Sequence, residues 1–177
     1  SVQDGYKTLF EIGAVDDHRK LTPLGRTLHR LPVDPRIARI IVAGEHEGCL
    51  DEILIIASAL EVQDPRERPL EKQQLADEAH SRFADPDSDF LGYLRLWDFH
   101  HQLKTELTQS QLRKSCQQNF LSFMRMKEWI DVHRELVDLV RTSGLCSDKR
   151  NAKPLRALPP IHDWAKPFDP SRSAGIH

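Results

Sequence analysis

Apolar residues recur at helical spacing along most of the chain. Between Val2 and Ile12, the residues Val2, Tyr6, Leu9 and Phe10 mark one helix, and Gly13 ends it as a C-terminal glycine does. The segment AVDDHRKLT leads to a second helix. Its start is signalled by Thr22 as N-cap and Pro23 in the first turn, its apolar face by Leu24, Leu28 and Leu31, and its end by Pro32. Asp34-Pro35 repeats the start signal for a third helix carrying Ile37, Ile40, Ile41 and Val42 and ending near Gly44. Gly48 precedes a fourth, Leu50 to Leu60, which is apolar on nearly every side and is therefore predicted to be central. EVQDPRERP reads as a charged, proline-bounded loop.

Further helices are predicted over about 70–83, 88–104, 109–117 and 119–142. The longest carries Phe123, Met126, Ile130, Val137 and Val140 on one stripe, with Trp129, Val132, Leu136 and Leu139 beside it, and Ser143-Gly144 ends it. Beyond Cys146 the chain is rich in proline and basic residues without a sustained period, which predicts a linker or disordered tail. The fold class expected is mainly α. A small helix-turn-helix unit over residues 1–45, winged or not, precedes a helical bundle over 46–145 and an irregular tail over 146–177. The chain opens within an element and without an initiator Met, as expected of a piece of a longer protein.

Composition narrows the class. With 177 residues, 39% hydrophobic and 29% charged, the chain is long enough for a buried core, and its formal net charge of −2 points to no nucleic-acid partner by itself. Cys49, Cys116 and Cys146 are odd in number and lack CxxC spacing, which argues against a disulfide framework or thiolate metal site and fits a reducing cytoplasm. The longest apolar run, Ile53 to Ala57, falls far short of the ~20 residues that span a bilayer, so no membrane role is expected.

Asp77-Glu78-Ala79-His80 spells the box that names a class of ATP-driven helicases. In a P-loop ATPase that aspartate ends a buried strand beside Mg²⁺. Here Glu71 to Ala76 precede it, and Leu75, Ala79 and Phe83 fall four apart, so the segment reads as an amphipathic surface helix with a coincidental spelling. The G-x-x-x-x-G-K-[ST] cradle is also missing from these residues, because Gly44 and Gly48 are followed by Cys49-Leu50. No catalytic residue and no metal site is assigned. His100 and His101 are adjacent on a helix and point about 100° apart, so they do not share one metal. Asp85, Asp87 and Asp89 with Ser88 read as an N-cap cluster.

Nucleic-acid chemistry has one candidate stretch, LRKSCQQNFLSFMRMKEW. It gathers Arg113, Lys114, Gln117, Gln118, Asn119, Ser122, Arg125 and Lys127, side chains suited to phosphates and sugars. On the predicted helix, Asn119, Ser122, Met126, Trp129 and His133 form a seam that can face an RNA strand, with Trp129 or Phe123 to stack on bases. Asn119 and Arg125 are placed off the apolar stripe, where substitution leaves the fold intact. The competing reading makes the aromatic residues core and the polar ones a solvated face, and sequence physics alone favours it.

Four blocks carry a resemblance: LFEIGAVDDHRKLTPLGRTLHRLPVDPRIARIIVAG, CLDEILIIASALEVQDPRERP, FADPDSDFLGYLRLW and CQQNFLSFMRMKEWIDVHREL. In order and spacing they resemble the helicase-associated C-terminal region of DEAH-box RNA helicases, closest to its bacterial HrpA-type members, over about Val2 to Leu145. The resemblance implies a degenerate winged helix followed by a ratchet-like helical bundle. The RecA-like motor domains, with the ATP and Mg²⁺ they use, would lie elsewhere in the parent chain, and this region needs no cofactor of its own. It implies an accessory, non-catalytic part that docks on the motor domains and helps form a channel for single-stranded RNA. RNA contact falls to Asn119 and Ser122 by resemblance, joined by Arg113, Lys114 and Arg125, and Arg36 and Arg39 reach a motor domain. Met124 stands where many eukaryotic relatives have Arg, which displaces or removes that contact. The tail ending SAGIH departs from the family's lead into a further barrel. The alternative from another class is a protein-docking domain without RNA binding of its own, and a free-standing regulator built from a helicase remnant is a third.

Overall fold

A computed structural model describes residues 1–145; the predicted tail over 146–177, with Cys146, lies outside the described residues. Among the described residues there are eight α-helices, α1 (Val2–Glu11), α2 (Pro23–Leu28), α3 (Pro35–Glu47), α4 (Leu50–Glu61), α5 (Gln73–Ser81), α6 (Asp89–Glu106), α7 (Gln109–Gln118) and α8 (Phe123–Ser143), with a 3-10 turn at Leu70–Lys72. Among the described residues the only β pairing is two isolated bridges, Val15 with Leu21 and Arg66 with Leu121, so the mainly α class holds.

The start signals act as the sequence predicts. The Thr22 hydroxyl accepts from the Gly25 N–H at 3.0 Å and Asp34 accepts from the Arg36 N–H at 2.8 Å, each ahead of a first-turn proline. Ser88 caps α6 by accepting from the Phe90 N–H at 3.2 Å. Two boundaries differ from expectation. Helix α3 runs through Gly44 and stops at Gly48, which has φ +74. Gly44 serves packing instead, because a Cβ there would lie 2.7 Å from the Ile53 Cβ on α4. Helix α8 starts at Phe123, not 119, because Phe120 sits in the left-handed region at φ +53 and breaks the helical path.

The described residues form two compact units, Ser1–Ala57 with the segment from His133, and Ser58–Val132, whose boundary falls inside α4 and α8. In the first unit, Ala14, Val15, Leu28, Leu31, Ile37, Ala38 and Ile41 are buried. The AVDDHRKL segment is a tight turn closed by Asp16, which accepts from the His18 N–H at 2.9 Å and the Lys20 N–H at 2.8 Å. Beyond it, the Thr22 hydroxyl donates to the Gly13 carbonyl at 2.6 Å. A Cβ on Gly25 would stand 2.0 Å from the Ala14 carbonyl oxygen, so α2 can approach this turn only through a glycine.

The second unit is built around Trp129, which is fully buried. Its indole N–H donates to the Ser58 hydroxyl at 3.0 Å, and Tyr93 and Trp97 meet its ring edge-on at 6.0 and 5.1 Å. Phe83 and Phe99 pack at 5.1 Å, and Ala76, Ala79 and Met126 are sealed from solvent. His100 is buried too. Its Nδ1 meets no hydrogen-bond partner among the described residues, and burial, with His101 and Lys104 nearby, lowers its pKa to about 4.

Gly25→Ala is expected to lower stability by about 2 kcal/mol or more, since backbone must move, whereas Gly5→Ala, with open space around it, should raise it by about 0.5–1 kcal/mol. Thermal melts of both variants check this. Because the unfolded His100 gains its proton near pH 6.5 and the folded one only near 4, its burial opposes folding progressively as pH falls through that window. The loss approaches about 3 kcal/mol at the acid end. His100→Leu should flatten the dependence of the unfolding free energy on pH between 6.5 and 5.

Candidate nucleic-acid interface

The stretch singled out for RNA contact folds as the C-terminal part of α7, a four-residue turn and the start of α8. Asn119 caps α7, its N–H reaching the Ser115 carbonyl at 3.2 Å and the Cys116 carbonyl at 3.0 Å, and the Leu121 N–H returns to the Cys116 carbonyl at 2.9 Å. A left-handed Phe120 between them turns the chain toward the loop that follows α4. There the Glu67 N–H donates to the Phe120 carbonyl and the Ser122 N–H to the Pro65 carbonyl, both at 2.8 Å.

Side chains reinforce this pairing from three sides. The Arg125 guanidinium donates to the Asp64 carbonyl at 3.1 Å. The Asp64 carboxylate receives the Arg66 backbone N–H at 2.9 Å and its guanidinium at 3.0 and 2.7 Å, so the loop is clamped on itself. From α5, the His80 Nε2–H donates to the Phe120 carbonyl at 3.0 Å, and the Arg82 guanidinium donates to the Asn119 side-chain oxygen. Asn119 completes its pairing by donating Nδ2–H to the Ser115 carbonyl at 2.7 Å. Arg68 and Asp77 form a two-point ion pair at 2.7 and 2.6 Å on the outer side of the loop.

Charge here is set by burial against local partners. Burial alone would raise the Asp64 carboxyl, but the hydrogen bonds and charge of Arg66 hold it below the usual carboxylate range. His80 is pushed below its ordinary value chiefly by burial, with its bond to Phe120 opposing and the Arg66 charge adding. Its imidazole is therefore the neutral Nε2–H form near pH 7. Burial also lowers the pKa of Arg82. Asp64, Arg66, Arg68, Asp77, His80, Ser81 and Ala84 line an open groove of about 380 Å³.

The residues expected to contact RNA divide by environment. Arg113 and Lys114 are exposed on α7, Arg113 with its guanidinium 5.0 Å above the Phe123 ring. Ser122 is half-buried and caps α8, its hydroxyl accepting from the Arg125 N–H at 3.4 Å, and Arg125 is half-buried beside it. None of these three cations forms an ion pair among the described residues. Asn119 differs, because it is 2% exposed and both ends of its amide are engaged within the fold, so it does not lie on an open face. The seam through Met126 and Trp129 is likewise core. Both are fully buried, so Trp129 offers no ring to a base, and Phe123 presents its ring already overlaid by Arg113. Arg36 and Arg39 lie in the first turns of α3, Arg36 exposed and Arg39 partly so.

Four contributors went unassigned in the sequence: Arg66, Arg68, His80 and Arg82. The usable signal was the pair of prolines bounding the charged QDPRERP stretch, which marks a short, rigid loop able to hold several charges in place. The helicase-like spelling proves to be part of α5. Asp77 holds Arg68, Ala79 is core and His80 holds Phe120, with no strand at this position.

Residues 6–33 match the winged-helix part, and residues 34–93 the ratchet-like part, of the helicase associated domain (HA2). The chain is 43% identical over 150 residues, 82% of its length, to the ATP-dependent RNA helicase HrpA of Escherichia coli (strain K12). It is 44% identical over 159 residues, 86% of its length, to the HrpA homolog of Haemophilus influenzae. The DExH-box ATP-dependent RNA helicase DExH3 of Arabidopsis thaliana is 34% identical over 146 residues, 82% of the chain. The matched stretch spans 12% of the length of each of these three relatives.

The burial of Asn119 and Trp129 sets a stability prediction. Asn119→Ala, which leaves Arg82 without its acceptor, should cost about 1–3 kcal/mol, and Trp129→Phe a similar amount. Arg113→Ala, on the exposed face of α7, should stay within about 0.5 kcal/mol of the parent. Urea denaturation of the three variants checks the ranking.

Proposed function

Residues 6–93 belong to the helicase-associated HA2 family, winged-helix then ratchet-like, and on that footing we propose that the chain is a non-catalytic accessory region of a DEAH-box ATP-dependent RNA helicase. It helps to form the channel for single-stranded RNA and docks on the RecA-like motor domains of the same parent chain. ATP and Mg²⁺ serve those domains, and the setting is the cytoplasm. No helix of the described residues is long and apolar enough to cross a membrane.

One observation carries the RNA reading. Arg113, seated over Phe123, and Ser122 with Arg125 flank the α7–α8 turn, and Lys114 is exposed next to Arg113 on α7, the cations free of ion pairs among the described residues. Charged donors held next to a hydroxyl are suited to phosphate oxygens and a 2′-OH, and they read no sequence. The Arg113 guanidinium lying over Phe123 adds a flat surface on which any base can stack. Arg36 and Arg39 supply a docking contact on α3. The docking half of the proposal has its own support in α1, where none of the residues is buried and Val2, Tyr6 and Phe10 expose 79%, 38% and 56% of their surface along one stripe. The same stripe favours the second reading, a docking domain without RNA binding of its own.

Anisotropy titration of a labelled single-stranded RNA at low and physiological salt separates the two readings. We expect salt-sensitive binding that prefers single strand over duplex, weakened about 10-fold or more by Arg113→Ala with Lys114→Ala. Binding that is absent at low salt would leave docking as the function. The 177-residue chain should hydrolyse no ATP with or without RNA, and turnover above a blank would overturn the proposal.

A further inference from the structure

We propose that His80 and Arg82, two donors near the end of α5, are positioning residues for RNA contact: they hold the 119–122 turn against the 64–67 loop and so fix how Ser122 and Arg125 are presented. The inference rests on the RNA reading above and names residues that lie outside the RNA-binding set. Its basis is the convergence of α5 on two successive residues of one turn. His80 donates to the Phe120 carbonyl at 3.0 Å, and Arg82 donates to the Asn119 side chain.

The turn needs such holding. Phe120 occupies the left-handed region at φ +53, which a residue bearing a Cβ avoids unless its surroundings impose it. Its carbonyl accepts two donors, the Glu67 N–H at 2.8 Å and His80. Relaxing Phe120 toward an ordinary conformation would rotate that carbonyl away from both. The Ser122 N–H would then lose the Pro65 carbonyl, and the start of α8 would shift with it.

Arg82 is itself held for this task. Its Nε–H donates to the Ala79 carbonyl at 3.2 Å, closing the end of α5, and its guanidinium lies 5.6 and 5.5 Å from the Phe83 and Phe99 ring centres. No carboxylate pairs with it among the described residues, so a half-buried charge is spent on a neutral amide, which makes that bond charge-assisted and directional. Ser122 ends the held turn and Arg125 follows three residues later, with the Arg125 guanidinium anchored on the Asp64 carbonyl. Loosening the turn therefore moves RNA-facing groups that neither α5 residue touches.

The test uses the full 177-residue chain and a fluorescein-labelled single-stranded oligouridylate, with amide hydrogen exchange read at Glu67 and Ser122. His80→Leu should weaken RNA binding about 3- to 10-fold, the net worth of one hydrogen bond, and speed exchange at both amides. His80→Gln, whose Nε2 can still donate, should restore both. Arg82→Gln, which loses reach and charge, is the second arm with the same expected direction and serves if His80→Leu fails to fold. Parent-like binding and exchange in His80→Leu and Arg82→Gln overturn the proposal. So does a His80→Gln variant as weak as His80→Leu, which would show that shape and not the donor matters. Arg113→Ala with Lys114→Ala should weaken binding while leaving exchange at Glu67 and Ser122 unchanged. If the parent chain binds no oligouridylate, the RNA reading fails and this assignment falls with it, while the exchange data still report whether α5 holds the turn.

Discussion

The second unit depends on a short stretch of backbone pairing between segments far apart in sequence. In a helical protein nearly all main-chain groups are satisfied within helices, so a turn and a loop that meet must find partners for their own N–H and C=O groups. Here the loop at 64–67 and the turn at 119–122 satisfy each other through two bonds of 2.8 Å. That exchange imposes a left-handed Phe120, at a cost of about 1–2 kcal/mol, and it explains why charged side chains from α5, α8 and the loop converge on the same place. Each supplies a donor or acceptor where a water molecule would otherwise compete.

Burial of Trp129 and the polar cluster are parts of one solution. The indole, with Tyr93 and Trp97 against its edges, fixes the N-terminal half of α8. Leu121, Cys116 and Leu112 are buried on the α7 side, so the turn is held from below by apolar contact and from the side by hydrogen bonds. The outer faces are left to Arg113 and Lys114, which are exposed, whereas Arg125 and Ser122 are partly buried and directed. Two kinds of donor thus lie within one short stretch. Exposed charges beside fixed polar groups are, as a class, side chains that hydrogen-bond phosphate and sugar without reading sequence.

Helix content, start signals and the termination at Gly13 were legible because they depend on local chemistry: Thr22-Pro23, Asp34-Pro35 and Ser88 each cap as their residue types require. The candidate stretch was legible as composition, since basic and amide side chains cluster between Arg113 and Lys127. What sequence could not supply was the direction of individual side chains. Asn119 looked like an exposed polar residue on a long helix, but the helix starts four residues later and the amide is internal. Gly44 looked like a stop signal and is instead a site of close approach to Ile53. In both cases a contact with another element overrode a local preference, and no local pattern reports such contacts.

The four letters at Asp77 to His80 show the same point from the other side. As a motif they suggested nucleotide chemistry, which their helical setting excludes, because a water-exposed position in the middle of a surface helix does not hold an aspartate rigidly beside a metal and a triphosphate. Their side chains are nonetheless used. Asp77 keeps Arg68 on the outer wall of the groove, Ala79 is small enough to let α5 sit closely in the core, and His80 reaches the one carbonyl on which the turn depends. Because burial keeps that imidazole neutral, it holds the carbonyl without adding a charge next to Arg66. A lysine here would bring a full charge beside Arg66, and an alanine would leave the Phe120 carbonyl with the Glu67 N–H alone. A neutral donor of this reach therefore meets both demands at this position.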